Sequence, residues 1–294
     1  MLGYHCHRYG YPVLIVVAWG SLGALLYSQW HKNRPQEADL VTAEPFLPTL
    51  YNAQLLHESS TVDFVRQRLI APSDEKVPLQ LMHASRQDFS QRGQAAKILT
   101  EVFNGKKGGI FIEAGAHDGE QISNTLMAER ELGWTGVLIE PDPYNFRALK
   151  HKNRRSHLLE ACIMNVIRPI EVPLLMRSDM SIVLPSPPGG NASALSSHVA
   201  TAVCVPFSAV LEALGWKRVD WLSLDVEGFE PEALLSFPWQ AVELDVIQVE
   251  CRECDSSSGR DFLRKRGFLR TYLDILGYEE LYFFEQDLVY RKRK

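Results

Sequence analysis

Several absences bound this sequence before any motif does. Cysteine is scarce: Cys6, Cys162, Cys204, Cys251 and Cys254 are the whole set, too few for a small disulfide scaffold. Cys251 and Cys254 make one Cys-x-x-Cys pair with no second pair, which argues against a four-ligand structural zinc site. No metal site is expected. A local disulfide, two free thiols and a thioredoxin-type redox pair all remain open for Cys251 and Cys254. An excess of one charge is also missing. The 294 residues carry a formal net charge of −5, and nothing in that balance calls for nucleic acid as a partner. No internal repeat is present. No Gly-x-Gly-x-x-Gly follows a strand, which disfavours a nicotinamide dehydrogenase.

Charge is missing in a second sense, from Tyr11 to Tyr27, where the chain reads YPVLIVVAWGSLGALLY. As a helix this run is about 25 Å long, at the short end for crossing a bilayer. Tyr9, Tyr11, Tyr27 and Trp30 flank it as interfacial anchors do. Tyr27, Gln29 and Trp30 stand where a signal peptide needs small residues for cleavage. The expectation is a single membrane anchor over 11–27 behind a short tail, 1–10. Arg8 before it and Lys32 and Arg34 after it nearly balance, so charge leaves the orientation open. The sequon Asn191-Ala192-Ser193 is compatible with a lumenal C-terminal domain in the endoplasmic reticulum or Golgi.

Beyond the anchor, the expected order is a linker, 28–60, with Pro35, Pro45 and Pro48; a helical extension, 61–104; and a main domain, 105–294. In the extension, Val62, Val65, Leu69 and Ile70 share one helix face, and Leu79–Phe103 reads as a helical lead-in stopped by Asn104-Gly105. In the main domain, apolar runs at 110–113, 137–140, 158–164, 203–207, 221–226 and 246–250 alternate with helical segments. Phe268–Ile275 and Leu281–Tyr290 read as a closing hairpin. Pro185–Ser197 reads as a surface loop that could meet substrate. The class is α/β, a doubly wound, mostly parallel sheet. A terminal antiparallel hairpin suits the methyltransferase variant of that fold.

The chemistry-bearing residues stand at strand ends. The turn Glu113-Ala114-Gly115-Ala116-His117-Asp118-Gly119 closes the first strand, and its glycines let backbone approach a ligand closely. A carboxylate at Glu113 repels pyrophosphate and suits a cationic ligand such as S-adenosylmethionine. Glu140 closes the second strand, where an acid can accept both ribose hydroxyls. Asp142 reads as a helper or as the cap of the helix that begins with Pro143. Asp225 and Glu227 end a later strand on one side, as substrate-orienting or basic groups. Glu250 ends the next strand. His117 is a candidate base near the reacting methyl, and Cys162 is expected only to pack.

Three pieces, FIEAGAHDGEQISNT, GVLIEPDP and DWLSLDVEGFEPEAL, resemble the FkbM family of S-adenosylmethionine-dependent methyltransferases. The resemblance implies a class I methyltransferase fold, with Glu113, Gly115 and Glu140 holding the cofactor and Asp225 and Glu227 on the methyl-transfer side. His117, Asp118, Gly119 and Asp142 belong to the same candidate cofactor site. It implies O-methylation of a hydroxyl-bearing small molecule or glycan. A membrane segment ahead of such a domain also resembles the arthropod protein Star and its relatives, which implies the alternative of a non-catalytic trafficking protein with a secretory cargo.

Overall fold

The computed structural model describes residues 57–177, 181–184, 198–251 and 260–294, the side chains of 260–264 excepted. The expected anchor at 11–27, most of the linker, the sequon and the Pro185–Ser197 loop lie outside these residues. Among the described residues, no helix is long and apolar enough to cross a membrane.

A seven-stranded sheet forms the centre. In chain order its strands are β1 (Ile110–Ala114), β2 (Thr135–Ile139), β3 (His157–Leu159), β8 (Arg218–Leu224), β9 (Glu243–Glu250), β10 (Tyr278–Phe284) and β11 (Asp287–Lys292). Their spatial order is β10-β11-β9-β8-β1-β2-β3. The β1–β2, β2–β3, β1–β8 and β8–β9 pairs are parallel; β11 runs antiparallel to both β9 and β10. This is the doubly wound sheet with a terminal hairpin that the sequence pattern predicts. β1 and β2 are buried on both faces, as central parallel strands must be when helices cover both sides.

The crossovers are short. α1 (Ser59–Arg68) precedes the sheet and buries Val62 and Val65. α2 (Gln94–Lys97) passes into a π-helical turn, Ile98–Val102. α3 (Leu126–Leu132) joins β1 to β2 and stops at Gly133, whose φ of 66° is the left-handed cap glycine adopts freely. α4 (Pro143–His151) joins β2 to β3. α5 (Phe207–Leu214), α6 (Glu230–Leu235) and α7 (Arg260–Ile275) lie around β8 and β9 in the chain.

A second sheet was not legible in the pattern. It has the order β4-β7-β5-β6 and comprises β4 (Cys162–Ile163), β5 (Ile170–Leu175), β6 (Ile182–Val183) and β7 (Val199–Val205). The single strand expected over 158–164 is divided between the two sheets. β3 pairs with β2 on one side and meets only the isolated bridge Leu158↔Ile70 on the other, and its β2 pairing ends at Ile139↔Leu159. With its partner finished, the chain turns and Cys162 pairs with Cys204 instead.

Two more expectations are corrected. Leu79–Phe103 is helical only from Gln94. Asp88 takes hydrogen bonds from the amides of Ser90 and Ala96 and from the Ser90 hydroxyl, and this local pairing competes with helix before residue 94. Phe268–Ile275 is not a hairpin strand but the second half of α7, with Leu269 and Leu273 buried one turn apart. Gly277, at φ 84°, lies just past the end of that helix, and the hairpin is β10–β11, turning at Glu285-Gln286.

Candidate active site

Chain order reverses between β1 and β8. The chain moves outward from β1 to β2 and β3, then returns to lay β8 on the other side of β1. In open α/β sheets ligands enter the crevice that such a reversal opens at the carboxyl ends of the strands. Here that crevice is a cleft open to solvent. Ala114, Gly115, Glu140 and Asp225 reach it from the ends of β1, β2 and β8, while Cys162, Ile163 and Val183 wall it from the second sheet.

The strand ends are stitched tightly. The amides of Gly115 and Ala116 both donate to the Ile139 carbonyl, at 3.0 and 3.1 Å, and the Asp225 amide donates to the Ala114 carbonyl at 3.0 Å. A Cβ at Gly115 would stand 1.7 Å from the Asp225 carbonyl oxygen. Glycine is required there by contact as well as by its φ of 86°. His117, Ile122 and Glu227 also line the cleft, and all three have positive φ, at 49°, 57° and 52°. Each such residue costs about 1–2 kcal/mol, a strain that concentrates at binding sites where neighbours hold it in place.

Glu140 is the best-defined ligand-facing group. It is buried, and its two carboxylate oxygens accept the His117 and Asp142 amides at 2.8 and 2.9 Å. Each oxygen keeps a second lone pair, enough for two ribose hydroxyls. Burial pushes its carboxyl up to about 7 against those two hydrogen bonds. The ionised form accepts hydroxyls better, so binding weakens as pH falls through that value. S-adenosylhomocysteine, which has the ribose but no sulfonium, is expected to bind roughly tenfold more weakly at pH 6 than at pH 8. Calorimetry at the two pH values measures this, and equal affinities would remove Glu140 from the ribose site.

Gly115, His117, Glu140, Asp225 and Glu227, predicted from the sequence, are thus brought together. Glu113, Asp118, Gly119 and Asp142 are not in the cleft lining. Glu113 holds the turn before α3, accepting from Ser123 Oγ at 2.9 Å, the Asn124 amide at 2.6 Å and Thr125 Oγ1 at 2.6 Å. Asp118 accepts from the Glu120 and Gln121 amides and ion-pairs with Lys152 at 3.2 Å. Burial raises its carboxyl, but hydrogen bonds from His117 and those amides, with the Lys152 charge, carry it well below the carboxylate range. The His117 ring lies 3.6 Å from Asp118. Gly119 abuts Leu149, where a Cβ would come within 2.3 Å of a methyl. Asp142 caps α4 through the Tyr144 and Asn145 amides, and accepts from Ser181 Oγ at 2.6 Å, so it supports the wall from behind.

Three features were missed in the sequence. Arg154 is fully buried beneath the turn, against Glu129 at 3.0 Å, with bonds to the Gly119 carbonyl and Thr125. Cys162 does more than pack: it is disulfide-bonded to Cys204, so a covalent bridge backs the wall. Cys251 is disulfide-bonded as well. Finally, Asp225, Glu230 and Glu250 converge, with carboxylate oxygens all within 4.8 Å of one another. That spacing meets the distance condition for a cation, and the Lys265 ammonium lies 2.8 Å from Glu230.

The donor set can be tested against a ligand. Glu140, Asp225 and Glu227 line the cleft, and no lysine or arginine does among the described residues. Such a surface repels a dinucleotide pyrophosphate and accepts a nucleoside bearing a sulfonium and an ammonium. The residues fit S-adenosylmethionine.

No curated protein sequence matches the chain. Among solved structures, a methyltransferase FkbM from Methylobacillus flagellatus matches at 12% identity and a TM-score of 0.42. That match covers 86% of this chain, which spans 60% of the other's length. A methyltransferase from Pyrococcus furiosus matches at 12% identity and 0.33, over 64% of this chain and 77% of that one. The plantazolicin methyltransferase BpumL in complex with S-adenosylhomocysteine matches at 9% and 0.33, over 95% and 100%. The methyltransferase FkbM domain model matches residues 113–280, more than half of the chain, from the first cleft turn into the closing hairpin. With that span matched, the chain belongs to the methyltransferase FkbM domain family.

Proposed function

We propose that this protein is a membrane-anchored methyltransferase that transfers the methyl group of S-adenosylmethionine to a hydroxyl of a small molecule or glycan in the secretory lumen. The observation that carries the reading is the cleft itself, with Glu140 at the end of β2 facing Asp225 at the end of β8. Glu140 accepts the ribose hydroxyls. The turn from Gly115 to His117 gives the ligand close access to backbone. When bound, S-adenosylmethionine supplies an already activated methyl on a sulfonium, so positioning supplies much of the remaining rate. Asp225 orients the acceptor hydroxyl and takes its proton, and Glu227, beside it, holds a neighbouring hydroxyl of the acceptor. The acid-lined cleft favours uncharged acceptors over phosphates and carboxylates.

Three disulfide-bonded cysteines in the domain, Cys162, Cys204 and Cys251, support an oxidising compartment, since such bonds are rare where thiols are kept reduced. Together with the apolar run at 11–27, they support a lumenal domain on a single anchor. A glycosidase-sensitive mobility shift that is lost in Asn191→Gln tests this placement. A chain that is never glycosylated and is degraded by protease added to intact microsomes would overturn it.

Calorimetry of the full chain with S-adenosylmethionine tests donor binding, and labelled methyl transfer to hydroxyl-bearing acceptors tests the chemistry. Binding in the micromolar range and transfer abolished by Asp225→Asn are expected. No heat from a folded sample at high micromolar ligand would sink the enzyme reading in favour of the trafficking role.

A further inference from the structure

Glu250 has no part in that reaction, yet it stands against the group that does. Leu224 and Val249 pair in the parallel β8–β9 ladder, so the next residues, Asp225 just past β8 and Glu250 at the end of β9, stand side by side. Their carboxylate oxygens lie within 4.8 Å of each other. Two carboxylates this close repel unless a proton sits between them. Asp225 also has one shielded oxygen, Oδ1, with no hydrogen-bond partner among the described residues, and the residue lines the cleft.

Charged groups stand around the pair on several elements. On β11, buried Asp287 pairs with Glu250 across the ladder and accepts from Gln248 at 2.8 Å. Glu227 lies just past β8, and Glu230 opens α6. Lys265, on α7, ion-pairs with Glu230 at 2.8 Å, and the Val226 and Gly228 amides donate to Glu230's other oxygen. Across the cleft stand His117 after β1 and Glu140 after β2. Burial, then the charges of Glu250, Glu227 and Glu230, hold the Asp225 carboxyl well above the usual carboxylate range. Like charges this close titrate as a unit, with a proton belonging to the pair rather than to either residue.

We propose that Asp225 and Glu250 form one proton-holding pair in which Glu250 is the positioning residue, and that entry of the cationic methyl donor, but not of the neutral thioether product, releases the shared proton. This rests on the cleft being the donor site. It gives the pair a direction. In the free enzyme the proton sits between the two carboxyls. A sulfonium in the cleft supplies positive charge that favours the doubly ionised pair, and the proton leaves to solvent. Asp225 is then a free base for the acceptor: the acceptor O–H breaks, its proton passes to Asp225 and is shared again with Glu250, and the new O–CH₃ bond replaces the S–CH₃ bond. After transfer the ligand is uncharged and the pair keeps its proton, so the base is active only while a methyl group is present to transfer.

Proton release can be counted without an acceptor. The full chain is titrated at pH 7 with S-adenosylmethionine and with S-adenosylhomocysteine in buffers of different ionisation enthalpy. Glu140 and the ribose contribute alike to both ligands and cancel in the difference. The expected result is close to one more proton released by S-adenosylmethionine, a difference that Glu250→Gln removes while S-adenosylhomocysteine still binds. If that variant fails to fold, Asp225→Asn makes the same comparison. Equal proton counts for the two ligands, or a difference that survives in the variant, would overturn the pair's role and leave the donor site standing. Absence of binding by either ligand would overturn the donor site and this inference together.

Discussion

Gly115→Ala is expected to abolish methyl-donor binding and to lower the stability of the domain by about 2–5 kcal/mol, the sum of a left-handed alanine and an overpacked contact. The position has no tolerance. The new Cβ would lie 1.7 Å from the Asp225 carbonyl oxygen and 2.9 Å from its carbonyl carbon. These are backbone atoms, so no side chain can swing aside. The Asp225 amide is bonded to Ala114, and the Gly115 amide to Ile139. Relief therefore requires β8 to separate from β1 at the point where the cleft begins. Asp225 would move with β8, and Glu140 would lose its fixed distance from it. Thermal unfolding and calorimetry with S-adenosylhomocysteine measure the two effects. Binding within twofold of the wild type would show that the three strand ends do not define the site.

Arg154→Met is expected to cost about 3–5 kcal/mol, the loss expected when one partner of a buried ion pair is removed. Against a total stability of about 5–15 kcal/mol, this leaves a marginal domain. The guanidinium is fully buried, 3.0 Å from Glu129, which also accepts Ser156 Oγ at 2.6 Å and the Arg155 amide at 2.8 Å. It is also the charge that offsets Glu113. Burial raises the Glu113 carboxyl above its ordinary value, while Arg154 and the bonds from Thr125, Ser123 and Asn124 oppose the rise. Without Arg154 that carboxyl rises further. A raised acid contributes stability below its unfolded value and loses it as pH rises through its folded value. The deficit of the variant is therefore expected to grow from pH 5 to pH 8. Urea unfolding at both values measures it, and a loss below about 1 kcal/mol at pH 8 would show that the turn from Gly119 to Thr125 does not depend on this cation.

These two residues mark the limit of what could be read in advance. Gly115 was visible because a glycine after an apolar run and an acid is a local pattern, tied to one strand and one turn. Glu140 and Asp225 were visible for the same reason, as polar ends of buried strands. Arg154 gave no such signal. A side chain that usually stays at the surface is buried here because one distant stretch, from Gly119 to Glu129, closes over it. For Glu113, alternation gives the side chain's face but not the Ser123, Asn124 and Thr125 donors that meet it.

Strand periodicity and residues within a few positions of one another were enough to read the sheet class, the family, Gly115 after β1 and the acids at the ends of β2 and β8. Which acids line the cleft and which hold turns came from packing across the fold. It also set the second sheet and the Cys162–Cys204 bridge in the wall, and placed Glu250 against Asp225. Each of those depends on contacts between segments far apart in the chain, where burial and charge pairing, not local pattern, select the arrangement.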